Sequence, residues 1–285
     1  MRDAEKDIYV SYPGLIIENL FFILYPLALS FIWYQKFGGK IPPILIGLAG
    51  FFCGVVILES VILYFLFLIF QKITAIIIII SLISPGLFEE TARYVCFYFL
   101  LKNSPIYRDK KTSVSYGIGH GGIECLYLLF TGPFIVLVAK DWLVENGGLK
   151  SDILFLGCLI SCWERIFAVI LHISLSVLVF KAVNEKKIYF YIVAIIIHDF
   201  VDSFALLYQY GVLNLYITEL IITILAICLA VVAFKLYKND ETNYSEEKEK
   251  MITDNPENLT NSVDQSNPEN PETKNPDNPT AAPEN

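Results

Sequence analysis

The sequence predicts an all-α fold, a multi-pass bundle of transmembrane helices followed by a disordered C-terminal tail. The first observation is composition: 55% of the 285 residues are hydrophobic and only 18% are charged, whereas soluble domains contain about 25% charged residues. The second is that the apolar residues form long stretches, and a helix of about 20 apolar residues can cross a bilayer. The third is an acidic terminus, rich in Asn and Pro, that has no such stretch.

Seven stretches are long and apolar enough to cross a membrane, and division of one long stretch would give an eighth. Lysine and arginine residues near span ends favour the cytosolic side. In the seven-span arrangement 13 of them lie on one side and 5 on the other, which predicts an integral membrane protein with a cytosolic C-terminus. The stretches are 14–34, 43–70, 73–101, 113–139, 153–180, 188–210 and 213–237.

Charge divides the chain into two segments at Asn239. Residues 240–285 contain 12 acidic residues and 3 lysines, whereas residues 1–239 contain 17 acidic and 18 basic residues. The tail has too little apolar surface to offset the entropy cost of ordering, so we expect it to be disordered. The net charge of −8 therefore belongs to the tail. No basic surface indicates a nucleic-acid partner, and the expected partner of residues 1–239 is the lipid bilayer.

Charged and titratable side chains cluster within four of the predicted spans. Such residues are costly in a bilayer and usually mark a function. Three further carboxylates in other spans, Glu18, Glu59 and Glu219, have no histidine on their helix and are interpreted as structural or interfacial. The clustered residues are Glu89, Glu90 and Arg93 in the third span, His120 and Glu124 in the fourth, Glu164, Arg165 and His172 in the fifth, and His198, Asp199 and Asp202 in the sixth.

Helical spacing places these groups on common faces. His120 and Glu124 are four residues apart, and Arg93 lies within reach of the carboxylate three or four residues before it. At 1.5 Å per residue, the histidines and Glu90 lie about 12 to 17 Å from the predicted cytosolic span ends. They therefore occupy one layer of the membrane. The pair Pro85-Gly86 predicts a kink or break just before the tandem glutamates.

Two kinds of function use such a cluster. A carboxylate and histidines can activate a water for hydrolysis, either alone or with one Zn²⁺. The ion would be bound through histidines, with His120, His172 and His198 as candidates, plus a carboxylate, and one position would stay open for water. Buried His, Glu and Asp residues also relay protons or ions in coupled membrane transporters. Convergence of Glu90 with the three histidines within about 10 Å would favour the hydrolytic interpretation.

The order of the motifs resembles the YhfC family of glutamic-type intramembrane proteases, which is distantly related to the CAAX-prenyl protease and bacteriocin-processing superfamily. Residues 89–93 read as EExxR, and residues 117–124 read as GxGHGGxE. Glu164-Arg165 with His172, and then His198 with Asp202, follow in order. The resemblance covers about residues 10–238 and implies an intramembrane endopeptidase that acts on membrane proteins or lipidated peptides.

The resemblance also implies roles for individual residues. Glu89 or Glu90 would deprotonate the attacking water, and His120 and His198 would orient it or stabilise the oxyanion. It favours a site without a metal or other cofactor, with Zn²⁺ as the alternative. Residues 1–239 would then be a polytopic peptidase domain, and a coupled transporter stays the alternative function. The expected catalytic set is Glu89, Glu90, Arg93, His120, Glu124, Glu164, His172, His198 and Asp202.

Overall fold

The structure is a computed structural model that describes the backbone of residues 8–149 and 151–254, with side chains described as far as residue 239. Apart from an isolated bridge between Val10 and Ile153, the regular structure of these residues is helical. A π-helical segment, Phe52–Glu59, joins α2 to α3, and a short 3₁₀ helix precedes α5. The α-helices are α1 Tyr12–Phe37, α2 Ile41–Phe51, α3 Ser60–Phe70, α4 Thr74–Asn103, α5 Lys111–Thr131, α6 Pro133–Glu145, α7 Phe155–Asn184, α8 Tyr189–Gln209 and α9 Leu215–Asp254.

Seven helical segments are long and apolar enough to cross a membrane, which confirms the predicted all-α, multi-pass fold. The second span, Ile41–Phe70, combines α2, the π-helical segment and α3. The fourth, Lys111–Glu145, combines α5 and α6, which meet at the non-helical residue Gly132. The predicted long stretches are therefore single interrupted spans, and no eighth span arises from them.

Local sequence explains where the first helix begins and ends. The Ser11 hydroxyl accepts a hydrogen bond from the Gly14 N–H at 3.4 Å, and Pro13 occupies the first turn, where its missing N–H costs nothing. The helix ends at Gly38, whose φ of 66° lies in the left-handed region that favours glycine. These signals bound a helix of 26 residues, enough to cross a bilayer with some tilt.

Helix α7 is the central helix of the bundle. It packs against α1, α4, α5 and α8, and 72% of its apolar stretch is buried, compared with 11% to 33% for the other spans. Leu175 and Phe180 form a core with Phe97 of α4 and Tyr116 of α5. Polar side chains on α7 therefore point into protein rather than into lipid.

Glycines let α5 approach its neighbours at backbone distance. A Cβ atom added at Gly119 would lie 2.0 Å from the Ile44 carbonyl oxygen of α2, and one added at Gly117 would lie 2.5 Å from the Ile173 Cα of α7. Both distances are shorter than any ordinary contact. The backbone of α5 is thus wedged between α2 and α7, which places His120 in the interior of the bundle.

Substitution of Gly119 with alanine is expected to destabilise the protein by about 1–3 kcal/mol, because overpacking at a backbone contact forces the helices apart. Thermal unfolding of the purified protein in detergent measures the effect. Gly157 is the matched control, because it also lies in a helix but has open space around an added Cβ. Gly157→Ala should be neutral or stabilising. Equal changes in thermal stability for the two substitutions would contradict the tight packing of α5 between α2 and α7.

Helix α9 packs on the central helix and continues into the predicted tail. The Trp163 indole of α7 donates a hydrogen bond to the Thr223 hydroxyl of α9 at 3.0 Å, and Ala226 is buried in the core that includes Leu171 of α7. The helix then extends to Asp254. Helical backbone thus continues past Asn239, and the run from Glu246 to Met251 within it consists of good helix formers. The disorder predicted beyond it, for residues 255–285, lies outside the described residues.

Candidate active site

The nine residues of the expected catalytic set belong to one connected network, with Glu89 of α4 at its centre. The His120 Nε2 atom lies 2.9 Å from the Glu89 Oε2 oxygen. His172 Nδ1 and His198 Nε2 each lie 3.9 Å from the same oxygen. The ring centroids of His120 and His172 are 5.0 Å apart, and those of His172 and His198 are 5.5 Å apart. Three helices thus direct their histidines at one carboxylate of a fourth.

Glu90 forms a second, fully buried group with Arg93. The guanidinium donates to both oxygens of Glu90, and neither side chain has any exposed surface. The His198 Nδ1 atom lies 2.8 Å from Glu90 Oε1. The sequence left either glutamate available to Arg93, and the structure selects the one three residues away. The Glu90 carboxylate is therefore occupied by neighbours of this chain, whereas Glu89 faces the histidines.

Hydrogen-bond partners determine which ring nitrogens carry protons. Arg93 Nη2 lies 3.2 Å from His172 Nδ1, and because a guanidinium can only donate, this nitrogen must accept. The N–H of a neutral His172 is then on Nε2, which lies 2.5 Å from Glu124 Oε2. His198 donates from Nδ1 to the ionised Glu90, so its Nε2 carries the lone pair. A neutral His198 ring therefore presents an unprotonated nitrogen to Glu89, whereas the lone pair of His172 Nδ1 accepts from Arg93 and lies 3.9 Å from the same Glu89 oxygen.

Arg165 connects the remaining acidic residues to this centre. It donates to Glu124 Oε1 at 2.9 Å and also pairs with Glu164. Glu164 therefore reaches His172 only through Arg165 and Glu124, which places it at the edge of the network. Arg165 itself, absent from the expected catalytic set, is its main cationic link, and its sequence signal was a charged Glu-Arg pair within an apolar span.

Asp202 lies where the site is most exposed. Its Oδ2 atom is 3.6 Å from His198 Nε2, and 38% of its side chain is exposed. The corresponding values are 10% for Glu89 and 0% for Glu90. Exposure thus rises from Glu90 through Glu89 to Asp202, so the site is most open at Asp202.

The Pro85-Gly86 segment of α4 contacts α8 just before the tandem glutamates. The predicted break does not occur, since α4 continues as one helix through Pro85. The Gly86 N–H instead donates to Asp199 Oδ1 at 2.9 Å, and an added Cβ would lie 2.2 Å from that oxygen. Asp199, absent from the expected catalytic set, therefore holds α8 against α4 one turn from Glu89.

The centre has the donors and the charge expected of a divalent metal site. Among the described residues, Glu89, His172 and His198 have ligand atoms within 4.8 Å of one another. Tetrahedral zinc with bonds of 2.0–2.2 Å separates its ligands by about 3.4 Å, so a modest contraction would suffice. Metal-bound histidines usually donate their other ring N–H to a carboxylate, and Glu124 and Glu90 are placed to accept it.

The charge of the network is also compatible with a bound cation. Five carboxylates of the network face two guanidinium groups, and the histidines or a bound cation can compensate the remaining negative charge. The zinc alternative from the sequence used histidines and a carboxylate, with His120 among the candidate ligands. Among the described residues the group that could hold a metal is Glu89, His172 and His198, and His120 Nε2 contacts the Glu89 carboxylate.

Comparison with known proteins agrees with this geometry. The model of one family, described as YhfC intramembrane metalloprotease, matches residues 21–223, a range that contains all nine network residues. The uncharacterized membrane protein YhfC of Bacillus subtilis (strain 168) is 24% identical over 238 residues, which cover 75% of this chain and 89% of that protein. The resemblance that the motifs indicated is confirmed. The chain belongs to the YhfC family of intramembrane metalloproteases.

Proposed function

We propose that this protein is a metal-dependent intramembrane endopeptidase that hydrolyses peptide bonds of membrane proteins or lipidated peptides. One observation carries the proposal: two buried histidines each place one ring nitrogen 3.9 Å from the same Glu89 oxygen, while a carboxylate stands at the other nitrogen of each ring. A hydrogen-bonded packing cluster has no need of this double arrangement. A metal site requires it, because the outer carboxylate sets both the tautomer and the ring orientation.

In this proposal Glu89, His172 and His198 hold one Zn²⁺. When bound, the ion supplies Lewis acidity that polarises the scissile carbonyl and makes water a better nucleophile. His120 donates its Nε2–H to Glu89 and fixes the orientation of that carboxylate. Glu90 and Glu124 do the same for the two histidines, and Arg93 and Arg165 hold those glutamates in place.

Asp202 is the proposed general base, in place of the tandem glutamate expected from the sequence. Glu90 is fully buried and accepts hydrogen bonds at both oxygens, so it has no free position for a reactant. Asp202 is accessible and stands beside His198. It takes a proton from the attacking water as the oxygen bonds to the carbonyl carbon. It returns a proton to the nitrogen as the C–N bond breaks.

The excess of lysine and arginine at one set of span ends supports a cytosolic C-terminus by the positive-inside tendency. Substrates would enter the bundle within the membrane plane or from an aqueous face at the Asp202 side. The location within the membrane favours membrane-embedded or lipid-anchored segments as substrates.

The experiment uses purified full-length protein in proteoliposomes. The probe is a fluorogenic peptide with one apolar segment of about 20 residues, together with labelled casein as an unfolded polypeptide. Treatment with a chelator should remove about one zinc ion per chain and lower cleavage by at least 100-fold. Added Zn²⁺ should restore cleavage. Full activity after complete removal of the metal would instead support the metal-free glutamic mechanism.

A further inference from the structure

The π-helical segment of the second span changes which side chain faces the bundle. Gly50 and Gly54 lie four residues apart and are both buried. Continued α-helical spacing would bring Leu58 inward next. A π-helix instead makes hydrogen bonds five residues apart, and the residue that turns inward is Glu59. Leu58 is 53% exposed, whereas Glu59 is 6% exposed.

The π-helical backbone and the buried carboxylate of Glu59 are both energetically unfavourable, which indicates a functional role for this position. π-helical turns are rare and frequently found at functional sites. A carboxylate buried at membrane depth is costly, and an apolar residue would have been available in Leu58. Within the part of the chain that the structure describes, Glu59 Oε2 is buried without a hydrogen-bond partner. A buried acceptor of this kind can be satisfied by a donor from outside the chain, either water or a bound molecule.

The surroundings of Glu59 place it near the proposed metal site. The segment packs tightly on α4, since a Cβ at Gly54 would lie 2.5 Å from the Ala92 Cβ. The Ser84 hydroxyl, on α4 five residues before Glu89, is adjacent to the Glu59 carboxylate. His198 and Asp202 are close enough to interact electrostatically with Glu59. Glu59 thus lies near the α8 residues of the site.

We propose that Glu59 is a substrate-binding residue whose unpaired carboxylate oxygen accepts a hydrogen bond from a backbone N–H of the peptide next to the scissile bond. This inference rests on the proposed endopeptidase function. A substrate helix must unwind locally to expose the bond that is cut, and its freed N–H groups find no partner in hydrocarbon. An ionised acceptor makes a stronger hydrogen bond to such a group than a neutral one. The sequence alone had suggested a structural or interfacial role for this residue.

The test compares two substitutions of Glu59 in the full-length, zinc-loaded protein with the fluorogenic transmembrane peptide. Glu59→Met keeps the length of the side chain but removes the acceptor, and it should lower kcat/KM by about 10- to 100-fold, the value of one hydrogen bond to a charged group. Glu59→Gln retains a neutral acceptor oxygen and should recover part of that loss. Zinc content and thermal stability should stay at the wild-type level in both.

Glu18→Met is the matched control. Glu18 is also a buried carboxylate of a membrane span, at 7% exposure, but its neighbours are Ser161 and Cys158 rather than the site. Its loss should leave kcat/KM unchanged. In the exchange variant Leu58→Glu/Glu59→Leu, the carboxylate moves to the lipid face, and activity should fall as far as in Glu59→Met.

Wild-type kcat/KM in Glu59→Met would overturn the inference, as would loss of zinc or of stability in proportion to activity. Failure of the proposed function has a different signature. In that case the wild type and Glu89→Gln would be equally unable to cleave the peptide, and the proposed role of Glu59 would be excluded together with the proposed function.

Discussion

Replacement of Glu89 with glutamine is expected to abolish both zinc binding and proteolysis. The substitution preserves shape but removes the negative charge at which three histidine nitrogens converge, at 2.9, 3.9 and 3.9 Å. Loss of an outer partner of a metal ligand already costs about 10- to 100-fold in affinity or activity, so loss of a ligand should exceed about 100-fold. Zinc content of the purified protein and cleavage of the fluorogenic peptide measure the two effects separately.

The variants His120→Ala and Glu18→Gln are the comparisons for Glu89→Gln. His120 contacts Glu89 but lies outside the group of proposed ligands, so its loss should weaken zinc binding by about 10- to 100-fold without abolishing it. Glu18→Gln should change neither quantity. Zinc bound at the wild-type level by Glu89→Gln, together with complete loss from His120→Ala, would favour a site that includes all three histidines as ligands.

Much of the site could be predicted from the sequence because charge inside a membrane is costly. His120, His172 and His198 are the three histidines of the chain, and all lie in apolar spans with carboxylates nearby. Helical spacing also placed Asp202 correctly on the face of His198, at 3.6 Å. Their convergence needed only the assumption that polar side chains turn away from lipid.

The pairing within the network could not be predicted in the same way. Arg93 is within helical reach of two glutamates, and the choice depends on α8, whose His198 reaches Glu90. Which histidines join Glu89 in the candidate metal group likewise depends on how closely α5 approaches α4. Such distances arise from packing at positions such as Gly119, and helical spacing along a single chain carries no information about them.

Glu59 shows a second limit of sequence analysis. The standard period of 3.6 residues places Leu58 toward the bundle, and only a π-helical turn brings in the following residue. Helical spacing therefore gave no reason to place Glu59 inside the bundle. A carboxylate in the middle of an otherwise apolar run was the available signal, and it was interpreted as structural or interfacial because its helix has no histidine.

Arg93→Met is expected to be the most destabilising single substitution in the site. Arg93 is the largest side chain that is fully buried, and its partner Glu90 is buried as well. Removal of one member of a buried ion pair leaves an uncompensated charge and costs about 3–5 kcal/mol. The double variant Glu90→Met/Arg93→Met removes both charges and should regain most of that stability. Unfolding by denaturant in detergent measures both variants against the wild type.

The same double variant separates the two roles that Glu90 could have. In our proposal Glu90 only orients His198, so the variant should bind zinc about 10- to 100-fold more weakly and should regain proteolysis when zinc is added in excess. If Glu90 were the general base, no concentration of zinc would restore activity, because the proton acceptor would be missing from a correctly loaded site. Recovery of cleavage at high zinc would therefore assign the proton transfer to another carboxylate, and Asp202 is the accessible one beside His198.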